Sequence, residues 1–382
     1  MDITLILDYS NTRNTGGPQG VAYDTVEGLK KNHRRLQKED LFFHILSTSG
    51  TTLRSASVRD ETFGNISFEY FRKLVPTALM SDVNYYLRLK NREKKIDLIH
   101  SHPVSGAFVG TLLKIPTMLT LHGMMWKEKD YARGMYSKFA YELTIRKFNY
   151  VSPRLKKLIA ISPYVVGEVD AYLKSRVPAM EVIENPVSDA FFEQEKNEKE
   201  GLIVYPAYFN SLKNQITLIE ALCRLKKEHV RFHCILPGPI LDHTCYTTIT
   251  SLIKTCGLEK DVSIPGPVPF SEMLRLYSEA SVMVMTSFQE TAPLVISEAM
   301  ASQTPVIASR VSGIPYMVSE GNSGFLINPH DPGEVSDKIR ILLEDSSLRK
   351  RFGGEARRIA ESRWKSEVIT SRLIDVYLRQ KP

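Results

Sequence analysis

Glu290 and Glu298 share the stretch SVMVMTSFQETAPLVISEAMASQTPVIAS, and their surroundings differ in a way that bears on chemistry. Glu290 sits in a polar loop after the apolar run 281–286. Thr291 can cap a helix there, and Pro293 suits the first turn of one running to about Ser302. That helix reads Leu294, Val295, Ile296, Ala299, Met300 and Ala301, apolar or small on nearly every side, so it predicts a buried element. Glu298 lies inside it. A buried carboxylate is costly without a partner, so Glu298 calls for either a ligand or a structural ion pair. Lys213 stands beside Asn214 just before a second helical pattern, where an ammonium group meets an anion that the helix dipole already favours; an ordinary surface lysine is the alternative. Gly16 and Gly17, after the first apolar run, would let backbone amides approach a phosphate, or simply make a tight turn. Their spacing is not G-x-G-x-x-G, and no acidic residue closes a second strand, which argues against a nicotinamide dinucleotide. His122 ends the run TLHG and is either a ligand contact or a hydrogen-bonded structural residue. His100 and His102, in IHSHP, read as structural.

These residues follow short apolar runs, and the runs organise the chain. Strands are predicted at 3–7, 41–46, 96–100, 116–121 and 157–162, then at 202–207, 230–236, 262–264, 281–286 and 304–309, with helical spacing between them. That alternation specifies parallel sheets covered by helices, in two doubly wound α/β domains. In such sheets ligands bind beyond the carboxyl ends of the strands, where each candidate residue falls. The apolar-poor segment 191–201 marks a linker, which places the boundary near 195. The tail carries Trp364, Val368, Ile369, Leu373, Val376 and Tyr377 at helical spacing, a stripe that must be buried.

The chain has 382 residues, 43% hydrophobic and 24% charged, which excludes disorder, collagen and coiled coil. A net charge of +7 over that length does not indicate nucleic acid. MDITLILDYS reads as a first strand rather than a signal peptide, and no segment reaches the roughly 18 apolar residues of a spanning helix, so the expectation is a cytoplasmic protein. Cys223, Cys234, Cys245 and Cys256 fit neither paired zinc spacing nor a small disulfide scaffold, and their regular spacing reads as chance.

The run ETAPLVISEAMASQTPVIASRVSGIPYMVSEGNSGFLINP resembles the donor-site segment of retaining glycosyltransferase family 4, with Glu290 and Glu298 as its E-x7-E pair. KLIAIS followed by VIENPV is similar to that family's crossing between domains, IPGPV to its nucleotide-base loop, and the tail to its last helix. The likeness spans almost the whole chain. It implies the glycosyltransferase-B fold: two Rossmann-like domains facing a central cleft, with 1–195 binding acceptor, 196–361 binding donor, and a helix at about 362–382 crossing back to the first domain. It further implies Glu298 on the ribose hydroxyls, Glu290 on the donor sugar, and Lys213 on the diphosphate. Gly16 and Gly17 would cradle that diphosphate, His122 would border donor sugar and acceptor, and Gly266, Pro267 and Val268 would meet the base. Thr291, Ala292, Pro293 and Leu294 would complete the donor contacts. The family's arginine is replaced, its positions being Ala207 and Tyr208, and its Gly-Gly and P-E appear as Ser312-Gly313 and Pro315-Tyr316.

The implied reaction moves a hexose-type sugar from a nucleoside-diphosphate sugar to a saccharide or lipid-linked acceptor, with retention and without cofactor or metal. The sequence has no D-x-D to support a metal. A non-catalytic nucleotide-sugar-binding protein and a nucleotide-sugar epimerase on the same fold are the alternatives. Between 121 and 157, nine basic residues meet three acids amid seven aromatics, a mixture suited to weak contact with an anionic membrane or to ordinary packing under a solvated basic face.

Overall fold

The apolar runs become parallel strands. A computed structural model of the chain describes residues 1–9, 17–47, 60–70, 78–132, 134–174 and 177–381. Its first sheet holds β1 (Asp2–Leu7), β2 (Phe42–Ser47), β3 (Asp60–Phe63), β4 (Ile66–Tyr70), β5 (Leu98–Ser101), β6 (Thr117–Leu121), β7 (Lys157–Ala160) and β8 (Met180–Val182). They are ordered β3-β4-β2-β1-β5-β6-β7-β8, and β3 is the antiparallel strand at one edge. Ile3 pairs in register with both Phe43 and Leu98, so β1 is central, and Ile3–Leu7 is buried on both faces, as its mostly apolar sequence requires. β3, β4 and β8 were not foreseen. DETF and MEV lack an apolar run, and ISFEY alternates polar with apolar residues, which weakens the periodic signal.

A second sheet is formed by β9 (Leu202–Val204), β10 (His233–Pro237), β11 (Val262–Gly266), β12 (Val282–Met285), β13 (Val306–Ser309) and β14 (Gly324–Ile327). The order β11-β10-β9-β12-β13-β14 is all parallel, and the direction of winding reverses between β9 and β12. A crevice beyond the carboxyl ends of those two strands is where such a sheet binds ligands.

The chain divides into two units, Met1–Pro186 with Ser366–Pro382, and Val187–Lys365. The first crossing precedes the expected position near 195 because Phe191 and Phe192 are buried in the second core rather than left in a linker. Ile183 packs in the first core and Val187 in the second. The apolar tail divides in the same way. Trp364 belongs to the second core, whereas Ile369, Leu373, Val376 and Tyr377 on the helix Ser366–Leu378 are buried in the first, against the helix Gly17–Lys31. Asn32 Nδ2 donates to Thr370 Oγ1 at 2.9 Å across that contact.

The cysteines correct the sequence reading in part. Cys223 and Cys256 form a disulfide with Cα atoms 5.6 Å apart, closing a loop between residues separated by 33 positions, while Cys234 and Cys245 are buried thiols. Equal spacing gave no warning, because helix packing, not periodicity, brings this pair together.

Candidate functional site

The loops after β9 and β12 are tied together at the point where the second sheet reverses. Asn214, at a left-handed φ of 51°, opens the helix Gln215–Lys227. Its side-chain amide donates to the carbonyls of Thr286 and Pro329, each at 2.9 Å, and Thr286 Oγ1 donates back to the Asn214 carbonyl at 2.7 Å. Phe288 N reaches the Leu212 carbonyl at 2.9 Å. Buried Tyr205 donates its hydroxyl to the Lys213 carbonyl; burial, with the charge of Glu290 nearby, pushes that hydroxyl's pKa up and keeps it a donor. These bonds fix both backbones before either functional side chain is considered.

They bring Lys213 and Glu290 together. Lys213 Nζ meets Glu290 Oε1 at 2.5 Å, with side-chain exposures of 21% and 10%. Such a pair is largely shielded from water yet open on one side, so its attraction is stronger than that of a surface ion pair. The Glu290 carbonyl accepts from Gly313 N at 2.9 Å, and a Cβ at Gly313 would overlap the Thr291 carbonyl. The second glycine of the Ser312-Gly313 turn is therefore required by close backbone approach, and Ser312 takes a φ of 50° beside it.

Glu298 is buried, at 6% exposure, within the helix Leu294–Ala301, and the hydroxyl of buried Tyr277 reaches its Oε2 at 3.4 Å. The expected capping differs: Pro293 is itself the residue flanking the helix, and Thr291 lies two residues before it. Ala292 packs against the second core, Leu294 is half-buried, and the first turn directs its amides toward the loop that carries Glu290. Gly266, at a φ of 77°, closes β11 and accepts from Gly238 N at 2.9 Å. It and Pro267–Val268 lie at the carboxyl edge on the far side of β10, apart from the Lys213–Glu290 pair. Tyr208, at one of the two positions of the missing arginine, is 47% exposed.

Gly17 and His122 belong to the first unit; Gly16 lies outside the described residues. Gly17 begins its helix at a φ of 68°, a left-handed conformation that suits glycine. His122 follows β6, and its Nε2 lies 2.9 Å from Nδ1 of His102, which follows β5. His100 holds the Tyr377 hydroxyl at 2.6 Å and Thr120 Oγ1 at 2.7 Å. His100 is structural, as expected, but His102 is a direct partner of His122. The placement of both after adjacent strands was the available signal. Burial holds all three rings below the usual imidazole pKa, with mutual repulsion as the lesser cause for His100 and His102: His100 near 3, His122 near 4, and His102 well below. All three are neutral at pH 7.

Two doubly wound α/β units, the second with a charged pair at its sheet reversal, define a two-domain class whose ligands bind beyond the carboxyl ends of the strands. Family models narrow it. Residues 187–359 match the model for glycosyl transferases group 1, and residues 30–191 match that for glycosyltransferase family 4. The chain belongs to this glycosyltransferase family. It is 28% identical over 346 residues to an uncharacterised glycosyltransferase of Methanocaldococcus jannaschii, covering 87% of this chain and 89% of that one. A D-inositol 3-phosphate glycosyltransferase of Corynebacterium glutamicum is 28% identical over 305 residues, 74% of this chain and 72% of the relative. Among solved structures, Anabaena HepE in complex with UDP and glucose has the same fold, with a TM-score of 0.72, 19% identity, and coverage of 99% of each chain.

Proposed function

We propose that the protein is a retaining glycosyltransferase that moves a hexose-type sugar from a nucleoside-diphosphate sugar to a saccharide or lipid-linked acceptor, without a metal. The observation that carries this reading is the Lys213–Glu290 pair fixed at the sheet reversal, with buried Glu298 on the helix that follows. Breaking the bond from the anomeric carbon to a diphosphate builds negative charge on the phosphate and positive charge on the ring. Lys213 and the amides opening the helix Leu294–Ala301 would stabilise the former. Glu290 suits the sugar side, and Glu298, shielded from water, suits a pair of ribose hydroxyls. The acceptor would attack from the face the leaving group vacates, with a departing phosphate oxygen as base, and no covalent intermediate on Glu290 is invoked. HepE, crystallised with UDP and glucose, supports the donor class by analogy.

Ala207 and Tyr208 at the positions of the family's arginine favour a second reading, a nucleotide-sugar binder without transfer. One experiment separates the two: incubation of purified protein with labelled UDP-, GDP- and ADP-sugars. Transfer, or slow donor hydrolysis, supports the enzyme. Tight nucleotide binding with neither leaves the binder, and isomerised donor indicates an epimerase. NMR of a transferred product showing inversion of the anomeric configuration would refute retention.

No helix among the described residues is long and apolar enough to cross a membrane. A cytoplasmic enzyme touching the inner face of the cell membrane is part of this proposal. Its support is the helix Met135–Val151, where Met135 is 88%, Tyr136 66% and Phe139 60% exposed beside the exposed cations Lys138 and Arg146. Salt-sensitive cosedimentation with anionic liposomes, reduced by Phe139→Ser, is the expected outcome. Equal pelleting with neutral and anionic vesicles would contradict it.

A further inference from the structure

The carboxyl edge of the first sheet opens into a cavity of about 300 Å³ between β5, β6 and the helices Met125–Tyr131 and Met135–Val151. Its polar wall is made by His102, His122, Glu128, Ser137, Tyr141 and Thr144, and its remaining lining is apolar. The polar groups include no cation. Two imidazoles held neutral by burial face one carboxyl and three hydroxyls, and none of the described residues lining the cavity is Lys or Arg. The two lysines flanking Glu128 are committed elsewhere: Lys127 Nζ binds Glu168 and Lys129 Nζ binds Glu142, each at 2.6 Å.

Glu128 is held in the wall by specific structure. A Cβ at Gly123, next to His122, would overlap its Oε1, so the glycine leaves room for the carboxyl. Tyr141 donates its hydroxyl to Oε2 at 3.4 Å. Burial raises the carboxyl pKa above its usual range, opposed by Tyr141 and by the amide of Met124. A phosphate or carboxylate entering this cavity would meet a partly buried acid and no cation to offset it. Sugar hydroxyls, which both donate and accept, match the wall, and the apolar remainder suits the C–H faces of a ring.

We propose that this cavity is where an acceptor is selected, that it takes an uncharged hydroxyl-bearing ring, and that Glu128 accepts a hydroxyl of that ring while repelling phosphorylated or carboxylated acceptors. This rests on the transferase reading. It would set this chain apart from a relative whose name carries a phosphorylated polyol.

The test is ligand-observed NMR on the full chain with methyl α-D-glucopyranoside, methyl α-D-mannopyranoside, N-acetylglucosamine and myo-inositol as uncharged probes, and myo-inositol 3-phosphate as the charged one. At least one uncharged probe should bind. Glu128→Gln keeps the side chain's shape and should weaken that probe roughly 10-fold to 100-fold, as expected for loss of a hydrogen bond to a charged group. Tyr141→Phe, which frees the carboxyl from its internal donor, should weaken it less. Both variants should keep the wild-type melting temperature to within a few degrees and keep their stabilisation by UDP, GDP or ADP, since Lys213, Glu290 and Glu298 lie in the other unit. Absence of binding by every uncharged probe, unchanged binding in Glu128→Gln, or tighter binding of inositol 3-phosphate than of inositol would overturn the proposal. Loss of all nucleotide stabilisation in the wild type would instead count against the transferase reading.

Discussion

The carboxyl edges of the two sheets present opposite chemistry. In the second unit an ammonium and a carboxylate meet at 2.5 Å, with a second carboxylate buried on the next helix. In the first, three imidazoles stay uncharged and the nearby acid has a raised pKa. The same doubly wound frame therefore supports charge in one place and suppresses it in another, and the supporting contacts explain how. Around Lys213, amide and hydroxyl groups clamp the backbone so that charges can be paired across two loops. Around His122, burial removes the charge, with repulsion between the rings as the lesser cause at His100 and His102. On the proposed function, the first kind of surface suits a diphosphate and the second a hydroxyl acceptor.

The contrast can be broken by mutation. The largest effect is expected from Lys213→Ala, which removes the positive group proposed to stabilise the leaving diphosphate and should lower kcat on the order of 100-fold to 1000-fold, read by single-turnover transfer assays. A tenfold or smaller loss would mean that the charge is stabilised elsewhere.

Acid should expose the other side of the comparison. His100 is fully buried with a pKa held near 3, so the unfolded chain takes up its proton first as the pH falls. Stability is then complete above the ordinary imidazole pKa of about 6.5 and is lost on acidification, on the order of 3 kcal/mol by pH 4.5. His102 and His122 act in the same direction. Melting temperatures from pH 7.5 to 4.5 should fall less steeply in His100→Gln than in the wild type; parallel curves would contradict the neutral cluster.

Asn214→Ala sharpens the account of the charged edge. It removes two buried donors to the Thr286 and Pro329 carbonyls and should cost about 2 kcal/mol in denaturant unfolding, while lowering nucleotide affinity through the displaced Lys213 loop. The smallest effect belongs to Phe139→Ser, 60% exposed in the wild type, which should change stability by less than about 0.5 kcal/mol while reducing liposome binding.

Much of this was legible in the amino acids because the informative signals are local. Val282–Met285 is a strand because four apolar residues in a row must be covered on both faces, and Glu298 stands out because a carboxylate in an apolar helix is expensive. The Lys213–Glu290 contact joins residues 77 positions apart, and only the sheet order makes them neighbours. The His102–His122 bond has the same origin in adjacent β5 and β6. Asn214 was noticed only as a neighbour of Lys213, because its work is done by a side-chain amide on carbonyls remote in sequence. The Cys223–Cys256 bond depends on how the helices flanking β10 pack, which no spacing rule reports.

The most direct test titrates UDP, GDP and ADP into wild type, Lys213→Ala and Glu298→Gln, with melting temperature as the readout. One nucleotide should stabilise the wild type in proportion to the logarithm of its concentration over Kd, and both variants should need at least tenfold more of it for the same shift. Equal stabilisation of all three proteins, or none of the wild type by any nucleotide, would contradict a nucleotide-sugar site built on these residues.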